Sequence, residues 1–561
     1  MTPAVDYTPT WVYKRDGRLV PFEADKISRS LFAASESLGH PDPFVARELT
    51  DSVLHFLTSE SSRAPCTTTH VAELVTKIVR ELGHPALSQA FAEGGARRPR
   101  LAEQATGAPA RSNGTPRGPA ASAAHHKEPR DRAWHTSAAC WRDFALREVF
   151  GPELVAAHQQ GWIRLGGLAT PLELAGQLLR PPPDEYLLEA VEEARKVTGC
   201  LLVLDSPEHS LEGSGPLLAP RTWARELSLG VRANALRGII NLNIATPPAW
   251  AADIAEGPLF TAADVPLASR ERTQRALAFL ECFLPRLAPS IRVDWHLGQT
   301  DFAEPAEASV RVMQHALEGY PIAFTFDRPR RPVSLAEGID RLHPTLLTAV
   351  AVDLAHLANH LDSRADANHF LDKLRSLTGL ALSAGVQKRD FLRRRGPHWP
   401  GFLLGQARLV IVPLGLTEVV HRWANGSISH DPGALVFARN VVRRMVEVVQ
   451  AGARRCSVEA CIDLAAAGQF DDLGLDPSCP VREDFTPDPR DQLRAWGALH
   501  SDAGGGTVNV VLSHEHWPTN DELVALLHFA WLRTGVTRLQ FVQSEAAQTQ
   551  QVAPWEHGEQ V

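Results

Sequence analysis

The chain has 561 residues, of which 44% are hydrophobic and 22% charged, and it carries a formal charge of −8. That length exceeds one ordinary core, so two or more domains are expected, and the composition is that of a globular protein rather than a disordered one. The net acidity offers no basic field for a nucleic-acid backbone, and no apolar run is long enough to cross a bilayer.

Residues Met1 to Thr10 have neither the basic start nor the apolar stretch of a secretory leader. The seven cysteines, Cys66, Cys140, Cys200, Cys282, Cys456, Cys461 and Cys479, are scattered and form no CxxC pair. Free thiols in a reducing cytoplasm are expected, and a zinc ribbon is not. The first predicted element is a hairpin: Trp11 to Lys14, a turn at Arg15-Asp16-Gly17, and a second strand through Phe22. Asp-Gly suits a tight hairpin because the favoured turns need positive φ. Three amphipathic helices follow. The first carries Ile27, Leu31, Ala34 and Leu38 on one face, the second Leu49, Val53, Phe56 and Leu57. The third starts near Thr69, carries Val71, Leu74, Val75, Ile78, Val79 and Leu82, and stops at Gly83.

From Gly94 to about Arg132 the sequence turns to Ala, Pro, Gly, Arg and Ser, which reads as a solvated tether. The expected organisation is a nucleotide-scale domain at 1–93, a flexible linker at 94–133, a body at 134–545 and a frayed tail at 546–561. The body alternates helical stretches with eight β-rich runs: 200–205, 239–244, 291–295, 322–326, 409–413, 456–461, 507–512 and 538–542. Segments 272–287, 344–361 and 434–449 read as helices. This alternation predicts an α/β barrel or a large α/β sheet.

Val12-Tyr13-Lys14-Arg15-Asp16-Gly17, then Phe22-Glu23-Ala24-Asp25-Lys26-Ile27, then the threonine-led helix from Thr67-Thr68-Thr69 resemble, in order and spacing, the three motifs of ATP-cones. These are small α+β allosteric domains that bind ATP and dATP. The resemblance covers roughly residues 11–93 and implies nucleotide contacts from Lys14, Arg15, Asp16, Gly17, Val20, Phe22, Lys26, Ile27 and Thr68. A triphosphate requires several converging cations and donors, which Lys14, Arg15 and Lys26 supply, and Mg2+ can accompany it. A threonine hydroxyl, best placed at Thr68, is expected to reach base or ribose. Nucleotide-controlled homo-oligomer contacts are compatible with such a domain.

The body resembles anaerobic, glycyl-radical ribonucleotide reductases in two short stretches. One runs from Gly151-Pro152-Glu153 through His158 and Gly161 to Ile163; the other is Leu414-Gly415-Leu416-Thr417-Glu418. The resemblance implies a ten-stranded α/β barrel. It also implies a central cysteine thiyl and a radical glycine in a C-terminal R-V-x-G-Y loop, and here the sequence departs. No cysteine lies between Cys282 and Cys456; Pro397-His398-Trp399-Pro400-Gly401, where the cysteine loop is expected, has none. The last residues read QQVAPWEHGEQV, and Leu165-Gly166-Gly167 stands where the family has His-Asp. The expectation is therefore a nucleotide sensor whose body has lost radical catalysis. The alternatives are a reductase completed by a separate glycyl-radical chain, or a different barrel enzyme using strand-end acids and histidines. For the last, Asp294, His296, Asp327, Arg328, Glu418 and His514 are the candidates, on the rule that barrels gather ligand groups after their strands.

Other constellations are expected to be structural. His356 and His360 stand four apart on a helix without an obvious third ligand. His514-Glu515-His516 follows a strand. Arg328, Arg330 and Arg331 form a basic loop able in principle to hold phosphate. Cys456 and Cys461 flank a β-rich run.

Overall fold

The computed structural model describes residues 9–60, 66–97, 138–179, 191, 193–194, 196–209, 237–245, 269–288, 290–302, 307–329, 331–361, 367–395, 404–464, 488–512 and 519–543. The expected linker lies almost wholly outside these residues, as do the tail, 397–401 and His514-Glu515-His516. The chain divides into two compact units, 1–160 and 161–561.

The first unit opens with β1 (Trp11–Tyr13) and β2 (Leu19–Pro21), paired antiparallel as the hairpin predicted. Helices α1 (Asp25–Ser37) and α2 (Pro43–Glu60) follow, then β3 (Cys66–Thr67), α3 (Thr68–Glu81) and α4 (Pro85–Arg97). Most of the helical faces read from the sequence form one core: Ile27, Leu31, Ala34, Leu49, Val53, Leu57, Val71, Leu74, Val75, Ile78 and Val79 are buried in it, with Val12 from β1, whereas Leu38, Phe56 and Leu82, expected on the same faces, are exposed. Short β3 runs parallel to β1, a pairing with no local sequence signal. The helix α5 (Pro152–Gln159), expected to begin the body, falls within this unit and packs on α1 and α2.

The second unit is built on strands β4 (Ile163–Leu165), β5 (Leu174–Leu179), β6 (Thr198–Asp205), β7 (Arg237–Leu242), β8 (Ile291–Leu297) and β9 (Ile322–Phe326). A small hairpin, β10 (Ser334–Ala336) and β11 (Ile339–Asp340), leads to β12 (Thr345–Asp353). The remaining strands are β13 (Ala407–Leu414), β14 (Glu459–Ile462), β15 (Thr507–Leu512) and β16 (Arg538–Gln543). All eight expected β-runs contain a strand. Five strands, β4, β5, β10, β11 and β12, were not anticipated, and the last of them replaces much of a predicted helix. Residues 345–353 form β12, and only Leu354–His360 is helical. The run TLLTAVAVD is apolar on both faces, so periodicity cannot separate strand from helix. Its β-branched residues and complete burial between neighbours decide for strand.

The strand order is β14-β13-β12-β5-β6-β7-β8-β9-β16-β15, with β4 attached to β12. Strands β5 to β9 run parallel, as do β12 to β14 and β15 to β16; the joints β12–β5 and β9–β16 are antiparallel. The path returns on itself. Leu464, just after β14, bridges Gly506, just before β15, in parallel, with Leu464 N–H donating to Gly505 O at 3.2 Å and Thr507 N–H to Leu464 O at 2.9 Å.

Alternation along the strands separates two cores. Leu202, Leu204, Val293, Trp295, Phe324 and Leu539 face the helices. Leu201, Val203, Ile239, Ala349, Val410 and Val412 instead cluster with Leu335, Ala336 and Ile339 of the β10–β11 hairpin. The hairpin thus touches β6, β7, β12 and β13, while Glu337 at its tip reaches Arg292 of β8 and Arg538 of β16. An element in contact with strands all round the ring lies inside it. Gly338 completes the tip at φ +69°, and a Cβ there would stand 2.2 Å from Val410 Cγ2 and 3.2 Å from Cys461 Sγ. Only glycine fits both demands.

Candidate functional site

In the first unit, the turn after β1 is fixed by its own side chains. Gly17 N–H donates to Lys14 O at 2.9 Å with Gly17 at φ +80°. Asp16 Oδ1 accepts from Arg18 N–H at 3.1 Å and Oδ2 from Arg18 Nε at 2.7 Å. These hydrogen bonds to Arg18 hold the Asp16 carboxyl below its usual range. Asp16 therefore shapes the turn, which leaves Lys14 and Arg15 exposed at its tip.

Strand β3 brings the distant threonines to this hairpin: Val12 pairs with Cys66 and Tyr13 with Thr67. Thr68 follows directly, where the strand gives way to α3. Thr67 is the N-cap of α3, its hydroxyl accepting from His70 N–H at 3.1 Å, and half-buried Thr68 is the first helical residue. At the start of α1, Lys26 Nζ donates to Glu23 Oε1 at 2.8 Å and is exposed. Val20 and Phe22 are partly buried against the core. Ile27 is only 7% exposed and belongs to that core, so its side chain supports the site from behind. The hairpin tip, the α3 start and the α1 start together offer cations, a hydroxyl and helix N-termini, a donor-rich surface suited to anions.

In the second unit, the ring's interior is polar where β8, β9 and β16 face inward. Arg292 and Arg538 hold two carboxylates in a closed quartet. Arg292 Nε lies 2.7 Å from Asp294 Oδ1 and its Nη2 3.0 Å from Glu337 Oε1; Arg538 Nε lies 2.9 Å from Asp294 Oδ2 and its Nη1 2.9 Å from Glu337 Oε1. Burial pushes Asp294 upward, but the two guanidinium groups outweigh it and leave the carboxyl below its usual range. Asp463, after β14, accepts a hydrogen bond from the Gly338 backbone; burial, reinforced by the nearby Glu337, pushes it up to about 7. Cys461 lies beside the hairpin tip, its thiol pushed up to about 12 by burial. So a thiol does approach the barrel centre, although the tip itself carries Glu337; the segment seen to reach the centre is 334–340, and 397–401 lies outside the described residues.

At the carboxyl ends of β7, β8 and β9, His296 joins two partners: Nδ1 meets Asp327 Oδ1 at 2.8 Å and Nε2 meets Asn241 Oδ1 at 2.9 Å. Of the strand-end residues singled out in the sequence, His296 and Asp327 therefore meet. Asp294 lies two residues back on the same face of β8, within the quartet. Arg328 is elsewhere: it donates to Trp531 O, to Ala530 O at 2.8 Å and to Val536 O at 3.4 Å, closing the end of helix Asn520–Arg533. Burial lowers it to about 10. Both Nη groups are spent on carbonyls and Nε is buried, which removes it as a phosphate ligand. Glu418 is half-buried near the start of helix Leu416–Ala424, beside the Thr417 hydroxyl at 3.3 Å. His356 meets Trp162 edge to face and His360 meets it tilted, at 4.7 and 4.8 Å between ring centroids, and so both serve packing. Cys456 closes the helix Pro432–Cys456 instead of starting a strand. No group of three or more His, Cys, Asp or Glu able to hold a metal occurs among the described residues.

Sequence reasoning missed Glu337, Arg538, Asp463 and Asn241. One signal was available: Arg292, Asp294 and His296 alternate on an otherwise apolar strand, the mark of a polar inward face.

These features define a class: an ATP-cone followed by a barrel of two antiparallel five-stranded halves with a hairpin at its centre. Residues 10–93 match the ATP cone domain. The solved structures to which the chain is similar include three of the anaerobic ribonucleotide reductase from Thermotoga maritima. The one with citrate in the active site is 12% identical, with a TM-score of 0.51 over 73% of this chain and 89% of that one. The one with dATP bound in the specificity site is 13% identical, with a TM-score of 0.52 over 73% and 83%. The complex with dATP and CTP is 12% identical, with a TM-score of 0.50 over 73% and 82%. No curated protein matches in sequence. At these identities the likeness is one of fold. No helix among the described residues is long and apolar enough to cross a membrane.

Proposed function

We propose that this chain is a cytoplasmic nucleotide sensor that binds ATP or dATP at the ATP-cone and does not by itself reduce ribonucleotides. The observations that support the first half are the match of residues 10–93 to the ATP cone domain and the pairing of β1 with β3, which sets Thr67 beside Tyr13 and so brings the start of α3 to the hairpin that carries Lys14. In this reading Lys14, Arg15 and Lys26 hold the phosphates, Gly17 and Asp16 shape the turn, and Thr68 meets the base or ribose. Val20 and Phe22 flank the nucleotide, and Ile27 fixes the α1 start. Mg2+ would accompany the triphosphate. The second half is supported by the barrel centre, where the hairpin presents a charge-paired carboxylate.

Isothermal titration is expected to show ATP or dATP binding that falls at least tenfold in Lys14→Ala and Lys26→Ala, since a charge-assisted hydrogen bond contributes about 1.5–3 kcal/mol. Unchanged affinity in both variants defeats the assignment. Incubation with ribonucleoside triphosphates, reductant and a radical-activating enzyme is expected to yield no deoxynucleotide; clear turnover would establish the enzyme reading instead.

A further inference from the structure

The second layer of the barrel interior holds more acceptors than the protein satisfies. Asp205 is paired with Arg341, whose Nε and Nη2 both lie 2.9 Å from its oxygens. Asp301 is paired with Arg272 at 2.8 Å. Glu208 has no such cation among the described residues. Its Oε1 accepts from Asn243 N–H at 2.9 Å, but its Oε2 is buried without a hydrogen-bond partner, and the residue is 0% exposed. Asp327 is similar: Oδ1 meets His296, whereas Oδ2 is buried without a partner. Two inward carboxylate oxygens therefore lack donors, in surroundings where an unmet buried acceptor costs about 1–3 kcal/mol or more.

Backbone strain lies at the same place. Ser206 and Asn243, at the ends of neighbouring strands β6 and β7, have φ of +51° and +65°, although neither is glycine. Both are buried, and each holds a neighbour: Ser206 Oγ donates to Asp205, and Asn243 Nδ2 to His296 O at 2.8 Å. Strain of this kind persists where surrounding structure enforces it, and it clusters at binding sites.

We propose that this layer is a binding site for a small ligand bearing a primary ammonium group, held by Glu208 and Asp327 beside His296. The charge balance selects the ligand class. Among the described residues, Asp205 and Asp301 are paired with arginines and Asp327 with His296, while Glu208, pushed up to about 7 by burial, has no cation, so at pH 8 its carboxylate charge remains for a ligand cation to meet. An ammonium brings three donors as well as the charge, whereas a neutral hydroxyl brings one donor and leaves the charge in place. The groups facing Glu208 and Asp327 in this layer are Asp205, Arg341, His296, Arg272 and Asp301. This site is separate from the nucleotide face and does not depend on it.

The test uses the full chain with ethanolamine as probe, ethylene glycol as its uncharged counterpart and magnesium chloride as a metal competitor, read by saturation-transfer NMR. Ethanolamine is expected to bind and to weaken at least tenfold in Glu208→Gln and in Asp327→Asn. Both variants keep side-chain shape, and at pH 8, where Glu208 is ionised, each removes one carboxylate charge, so their circular dichroism should match the parent. Lys14→Ala, which alters only the nucleotide face, should bind ethanolamine like the parent. Equal binding of ethylene glycol, displacement by magnesium, retention in both variants, or no binding at all would each overturn the assignment.

Discussion

Replacing Glu337 by glutamine removes one charge from the barrel centre with almost no change of shape. Glu337 Oε1 accepts from Arg538 at 2.9 Å and from Arg292 at 3.0 Å, and the side chain is 0% exposed. The amide oxygen can still accept, but two buried guanidinium groups then face one firmly ionised carboxylate, that of Asp294. Depriving buried charges of a partner costs about 3–5 kcal/mol. The retained hydrogen bonds place Glu337→Gln near the lower end, about 3 kcal/mol, on the order of a 100-fold change in the folding equilibrium. Asp463 modifies this with pH. Its carboxyl sits at about 7 chiefly through burial and next through Glu337. With Glu337 neutralised, Asp463 ionises more readily and takes over part of the missing charge. The cost is therefore expected to be larger at pH 6 than at pH 8. The assay is denaturant unfolding of the full chain at both values, fitted with separate transitions for the two units. A change below about 1 kcal/mol at both would refute the view that this ion network holds the hairpin.

Two further outcomes follow from the described geometry. Thr67→Ala removes the N-cap of α3 and should destabilise the first unit by about 1 kcal/mol, seen in thermal unfolding without nucleotide. Thr68→Ala should leave that stability nearly unchanged and weaken ATP in titration; the reverse pattern would exchange the roles of the two threonines. Asp463 rises from 3.8 to about 7 on folding and Glu208 from 4.5 to about 7, so the folded body binds more protons across roughly pH 4–7. Stability from these groups is fully present below pH 4 and is lost as pH climbs through 7, at up to about 1.4 kcal/mol per pH unit for each group. Asp463→Asn should shrink that decline by one proton's share without abolishing it, as urea midpoints measured from pH 4.5 to 7.5 would reveal.

The first unit was legible because its signals are local. Asp16-Gly17 gives the turn, and the spacing of Ile27, Leu31, Val71, Val75 and their neighbours gives the helix faces. The parallel pairing of β1 with β3 was not, since it joins residues some fifty positions apart. In the body, strands rich in β-branched residues could be read, whereas Leu174–Leu179, with glycine and glutamine in LAGQLL, carried too weak a pattern. Thr345–Asp353 was misread because burial on both faces erases periodicity. The central quartet could not be assembled from sequence: Glu337 meets Arg538 201 positions away. What could be seen was the inward alternation of Arg292, Asp294 and His296, and it pointed to the right strand.

The ring is fastened unevenly. Strands β15 and β16 pair over six residues, but among the described residues β14 and β15 meet through a single bridge with two hydrogen bonds. Mechanically this is a hoop with one clasp. Asp463, which accepts from the hairpin tip at Gly338, is the residue just before the clasp residue Leu464. Prising the clasp open would pull on the pin at the hoop's centre, and loosening the pin would slacken the clasp. The amides of Leu464 and Thr507 are thus the natural gauges of the whole barrel, reporting by their hydrogen exchange whether its centre is held.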